Sequence, residues 1–79
     1  MSRLKKILSK VLEVDEKEIN DDSSPDTIES WDSFNGLMLV TELENEFKVN
    51  FTMNEVINII NVGDIKKALI KHRVKSDEL

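Results

Sequence analysis

WDSFNGLMLVTELENEF, residues 31–47, is the stretch on which the fold turns. Leu39, Val40, Leu43 and Phe47 return at helical spacing and lay one apolar face along a helix. Asp32 stands at the N-cap position, where a carboxylate takes a free first-turn amide, and this puts Ser33 in the first turn. Phe34, Leu37 and Met38 fall off the inner face, so the helix is apolar over more of its circumference than packing in a small bundle requires. Part of that surface is expected to meet a partner.

Upstream, Leu4, Ile7, Leu8, Val11 and Leu12 form a second stripe and predict a helix over Arg3 to Leu12. Between the two helices, Asp15 to Asp32 is rich in Asp, Ser and Asn around Pro25. Ile19, Ile28 and Trp31 are its spaced apolar anchors, which predicts a long loop pinned to the core. Downstream, Val56 to Val62 reads as a strand on β-branched propensity alone. The Thr52 to Glu55 capping box, with Phe51 and Val56 at staple positions, and the Met53, Val56, Ile57, Ile60 spacing favour a short helix instead.

Gly63 suits the residue that ends that helix, and Asp64 the cap of a last one. There Ile65, Ala68 and Leu69 face inward, while Lys71, His72, Arg73 and Lys75 complement the helix dipole. Residues beyond Val74 are expected to fray. The expected fold is all-α, a small bundle of three main helices plus one short helix, in a single domain over residues 1–79.

The chain has 79 residues, 39% hydrophobic and 34% charged. That balance gives one small core and leaves no room for a large enzyme with a deep cleft. With no cysteine and one histidine, His72, thiol chemistry and a His/Cys metal cluster are excluded. The Asp and Asn residues fail as a calcium loop. Counted from Asn20, Asp22 and Ser24 fit, but Pro25 replaces the required Gly and Trp31 the closing Glu. Ser33 lacks the flanking glycines of a nucleophile elbow, and His72 reads as an ordinary helix-end residue, so no self-contained hydrolytic site is expected.

The basic start Arg3, Lys5, Lys6 is followed by Lys10 and Glu13, which interrupt any signal-peptide core, and the longest apolar run, Leu37 to Val40, is far short of a membrane span. A cytoplasmic protein is expected. The net charge of −5 conceals segregation: residues 13–55 hold thirteen acids against Lys17 and Lys48, whereas residues 1–12 hold four bases and no acid. Such an acidic centre disfavours nucleic acid and favours a basic protein partner.

Asp32-Ser33-Phe34, followed by Leu37, Leu39-Val40, Leu43-Glu44 and Glu46-Phe47, resembles the Asp-Ser-Leu signature and second helix of acyl carrier proteins. The resemblance takes in Val14-Asp15-Glu16, the Phe51 to Ile57 helix and the Val62-Gly63-Asp64-Ile65 turn, and so nearly the whole chain. It implies that Ser33 is the attachment site of a covalent 4′-phosphopantetheine derived from coenzyme A, with Asp32 beside it. It further implies a non-catalytic, monomeric carrier of thioester-bound acyl groups.

The implied partners are a phosphopantetheinyl transferase and acyl-loading and acyl-transferring enzymes with basic docking surfaces. Phe34, Leu37, Met38, Thr41, Glu42 and Glu44 are expected to form the face that meets them. The departures are Phe34 in place of Leu, Trp31 before the motif, and Met38 where fatty-acid carriers usually have an acid. They turn the likeness toward specialised stand-alone carriers, polyketide or peptide-synthetase carrier domains, or D-alanine carriers. The competing reading of the same surface is a small helical interaction domain without a prosthetic group.

Overall fold

The computed structural model describes residues 3–79. Four α-helices run in chain order: α1 (Arg3–Leu12), α2 (Ser33–Phe47), α3 (Met53–Asn58) and α4 (Val62–Lys71). Single 3₁₀ turns lie at Glu16–Glu18 and Ser76–Glu78, and no strand occurs among the described residues. The expected bundle of three main helices and a short one is what forms. Leu4, Leu8 and Leu12 of α1, Leu39 and Leu43 of α2, and Val62, Ile65 and Leu69 of α4 are sealed from solvent. Their burial at helical spacing drives the folding of three elements that would each be marginal alone. α3 contributes no buried residue. Phe51 before it and Ile59 after it rest on the core and hold it in place.

The segment between α1 and α2 is irregular but pinned. Ile19, Ile28 and Trp31 are all buried, as their spacing predicts. Side chains replace the missing helical bonds: the Asn20 amide donates to Ser23 Oγ at 2.9 Å, the Ser24 amide to Thr27 Oγ1 at 2.9 Å, and Ser30 Oγ to the Leu12 carbonyl at 2.5 Å. Backbone groups that a loop would otherwise leave unsatisfied are paired in this way.

Two expectations about the C-terminal third are corrected. α4 starts at Val62, three residues earlier than the sequence suggests, with Asn61 rather than Asp64 as its cap: Asn61 Oδ1 takes the Asp64 amide at 2.9 Å. Asp64 sits three residues on and accepts the Ile60 amide at 3.0 Å. Gly63 therefore ends no helix. It lies inside the first turn of α4, where its amide donates to the Asp21 carbonyl at 2.9 Å and a β-carbon would come 3.3 Å from that oxygen. Close approach of the loop, not a left-handed backbone, calls for glycine here.

The residues after Val74 turn back rather than fray. Glu78 Oε1 accepts from Arg3 Nη1 at 2.8 Å, and Leu79 packs against the core. Arg3 also donates to Glu46 Oε2 at 2.8 Å and lies 4.9 Å over the Phe47 ring, so one guanidinium joins both ends of the chain to the end of α2.

Candidate functional site

α2 opens as its sequence predicts. Asp32 is extended, and its Oδ1 accepts the Asn35 amide at 2.8 Å, while Asn35 Nδ2 donates back to the Ser30 carbonyl at 2.8 Å. These bonds fix the first turn and leave Ser33 exposed as its first residue. Among the described residues, no acceptor takes the amides of Ser33 and Phe34, so the positive end of a fifteen-residue helix faces solvent beside the Ser33 hydroxyl.

The other serines differ. Ser9 Oγ donates to the Val14 carbonyl at 2.5 Å, and Ser30 Oγ is bound to Leu12. Ser23 and Ser24 are buried and accept backbone amides. Ser76 is exposed, but in a single 3₁₀ turn. Ser2 lies outside the described residues.

Ser33 also stands on the rim of an apolar cleft of about 190 Å³ between α2, α3 and α4. Trp31, Gly36, Leu37, Val40, Val56 and Ile59 line it, with Leu43 and Ile65 deeper in the core. The sequence singled out the serine but not the cleft, because its far wall comes from residues whose β-branched run carries no sign of which side faces α2. A larger hollow of about 760 Å³, lined by Leu12, Val14, Ser23 and Ile28 among others, does not include Ser33. The Ser23 hydroxyl there accepts the Asn20 amide within the loop.

The residues expected to meet partners fall into two groups. Phe34 is 71% exposed, Leu37 65% and Met38 44%, and Thr41, whose hydroxyl donates to the Leu37 carbonyl at 3.1 Å, is exposed on the same side of α2. Glu42 and Glu44 flank that strip, half-buried. Glu44 is already engaged, because its Oε2 accepts the Phe51 amide at 2.8 Å and ties α2 to the segment before α3. Met53, Ile57 and Ile60 are also largely exposed, an apolar surface that the helical spacing announced without showing its outward direction.

His72 is more than a helix-end residue. Its Nε2 lies 2.9 Å from both Glu55 oxygens, and its ring meets Phe51 edge-on at 5.5 Å. Glu55 also completes the Thr52 capping box, accepting the Thr52 amide at 2.8 Å. That amide, and after it the His72 ring, holds the Glu55 carboxyl below its ordinary value. The pair links α3 to the end of α4, away from Ser33, whose cleft it does not line. Among the described residues no group of three or more His, Asp or Glu is placed to hold a metal ion, and no helix is long and apolar enough to cross a membrane.

Ser33 thus joins an exposed hydroxyl at a helix start to an apolar cleft, and the chain's one imidazole is engaged elsewhere, with Glu55. The chain belongs to the family described as "Phosphopantetheine attachment site", whose model matches residues 2–69. No curated protein matches the sequence. Members of this family bear a covalent 4′-phosphopantetheine and are not themselves catalysts, which makes this chain a phosphopantetheine carrier of the acyl carrier protein family. Such a carrier interacts with a phosphopantetheinyl transferase and with acyl-handling enzymes.

Proposed function

We propose that Ser33 is the residue that bears the prosthetic group, and that the protein holds an acyl intermediate there and presents it to successive enzymes. The observation that carries this reading is the contrast between serines: among the described residues, Ser33 alone joins an exposed, uncommitted hydroxyl to the start of a long helix. The residues fit the group. The free amides of Ser33 and Phe34 suit a phosphodiester, and the cleft on whose rim Ser33 stands suits an apolar cargo. When bound, the group supplies a terminal thiol on which the cargo is held as a thioester, chemistry the cysteine-free chain lacks.

Each residue then has a distinct task. Asp32 fixes the helix start by capping Asn35 and places an acid next to the acceptor hydroxyl. Phe34, Leu37, Met38 and Thr41 form the contact strip for partner enzymes, and Glu42 steers basic docking surfaces toward it. Glu44 adds its charge while holding Phe51. The whole chain, residues 1–79, acts as one carrier domain, monomeric and cytoplasmic.

The test is intact mass and peptide mapping after incubation with coenzyme A and a phosphopantetheinyl transferase. A single addition on the peptide bearing Ser33 is expected, with none in Ser33→Ala, which should fold normally because the hydroxyl makes no hydrogen bond among the described residues. Addition persisting in Ser33→Ala would move the site. No addition with a panel of transferases would leave the exposed apolar strip to an interaction domain without a prosthetic group.

A further inference from the structure

Trp31 stands two residues before Ser33 and is only 6% exposed, yet no acceptor among the described residues takes its indole N–H. A nine-tenths buried tryptophan usually finds a partner for that group, because leaving it unpaired is costly. The N–H is not sealed either: among the described residues no fully buried side-chain nitrogen or oxygen lacks a partner, so the indole nitrogen keeps access to solvent.

The direction of that access follows from Gly36. A β-carbon added there would come 3.7 Å from Trp31 Nε1 and 3.9 Å from Cδ1, so the pyrrole edge of the indole faces the first turn of α2 across a glycine. Trp31, Gly36 and Ser33 all line the same cleft, and its other walls are the apolar side chains of Leu37, Leu39, Val40, Leu43, Val56, Ile59 and Ile65. Apart from the Ser33 hydroxyl, the indole N–H is therefore the one side-chain hydrogen-bond donor in an otherwise apolar lining.

We infer that Trp31 is a positioning residue of the carrier site: its indole N–H donates a hydrogen bond to a carbonyl oxygen of the Ser33-linked arm, or of its cargo, when that group folds back into the cleft. A donor fixed at the mouth of an apolar cleft sets how deep the group lies, since the oxygen stops at the indole while the hydrocarbon continues past it. Gly36 is what leaves the N–H reachable. The inference rests on Ser33 as the attachment point, and it needs no covalent step by Trp31.

Trp31 is the chain's only tryptophan, so ¹⁵N-labelled protein shows a single indole resonance. That resonance and its solvent-exchange rate would be followed in three forms: unmodified, loaded from coenzyme A, and loaded from hexanoyl-coenzyme A, each mapped to Ser33 by mass. Loading should shift the indole proton and slow its exchange by about threefold to tenfold, the effect of one modest hydrogen bond. The change comes with the bare arm if an arm amide is the acceptor, and only with the hexanoyl form if the thioester carbonyl is.

Trp31→Phe, which keeps a ring but loses the donor, should lose any stabilisation that loading gives the unaltered chain. Should that variant fold poorly, Gly36→Ala covers the N–H with a methyl group that fits, and should shrink the loading-dependent shift while the protein stays folded. An indole whose shift and exchange are the same in all three forms, with the load confirmed on Ser33, overturns this inference and leaves the attachment site standing. A load mapped to another residue removes both.

Discussion

The irregular segment from Glu13 to Asp32 and the helical segment from Phe51 to Ile60 reverse the usual association of regular structure with firm anchoring. The first has one 3₁₀ turn, yet buries Ile19, Ile28 and Trp31 and satisfies its amides through Asn20, Ser23, Ser24 and Thr27. The second contains α3 but seals no side chain from solvent, and Met53, Ile57 and Ile60 point outward. Besides Phe51 and Ile59, which rest on the core at its two ends, what holds α3 is peripheral: the Glu44 bond to Phe51, the Thr52 capping box and the Glu55–His72 pair. Local stability follows buried apolar contact more than secondary structure. The cleft beside Ser33 thus has one buried wall, at Trp31, and one only partly buried wall, at Val56 and Ile59.

Truncation breaks this comparison most directly. Ile28→Ala, in the loop, should cost about 2–5 kcal/mol in chemical denaturation, as a core truncation does, whereas Ile57→Ala, in a helix, should stay within roughly 0.5 kcal/mol of the unaltered chain. Equal losses at the two sites would mean that helical structure, not burial, sets the anchoring.

Acid should separate the same regions more gently. The native Glu55 carboxyl titrates below its ordinary 4.5, so its contribution is complete above that value and is lost as pH falls through the lower native one. Among the described residues Asp64, Lys71 and His72 share its groove, but Glu55 is the one that closes both the capping box and the link to α4. Below pH 4.5 the amides of α3 should gain exchange ahead of those of α1, and Glu55→Gln should remove most of that difference. Simultaneous opening of α1 and α3 would show that the Glu55 links do not govern α3.

Much of this was legible in the sequence where one residue type at one spacing has one physical solution. The stripes of α1 and α2, the Asp32 cap, the Thr52 to Glu55 box and the three loop anchors are of that kind. The motif singles out Ser33, and the family match covers it. The start of α4 was misplaced because Asn61 and Asp64 are both good caps, and the choice is made by Ser23 and Asp21, whose carbonyls accept the Val62 and Gly63 amides from forty residues upstream. The return of the C-terminus depends on Arg3, seventy-five positions from Glu78, a pairing that no local pattern encodes. The cleft was invisible for the same reason: three separate segments form it, and none announces it alone.

The two glycines carry the comparison down to single methyl groups. At Gly63 a β-carbon would lie 3.2 Å from Asn61 Oδ1 and 3.3 Å from the Asp21 carbonyl. A backbone oxygen pinned by the Gly63 amide cannot retreat without opening the seam between loop and α4. Gly63→Ala should therefore cost about 1 kcal/mol or more despite the gain in helix propensity. At Gly36 the nearest atoms, on the Trp31 ring, would be 3.7 and 3.9 Å away, an ordinary contact, and the backbone is helical without a positive φ. Only the entropic benefit of replacing a helical glycine remains, so Gly36→Ala should stabilise the unloaded protein by roughly 0.5–1 kcal/mol. Thermal melts of the two variants should move in opposite directions. Two shifts of the same sign would show either that the loop seam is as yielding as the cleft or that Trp31 stands closer to α2 than this geometry has it.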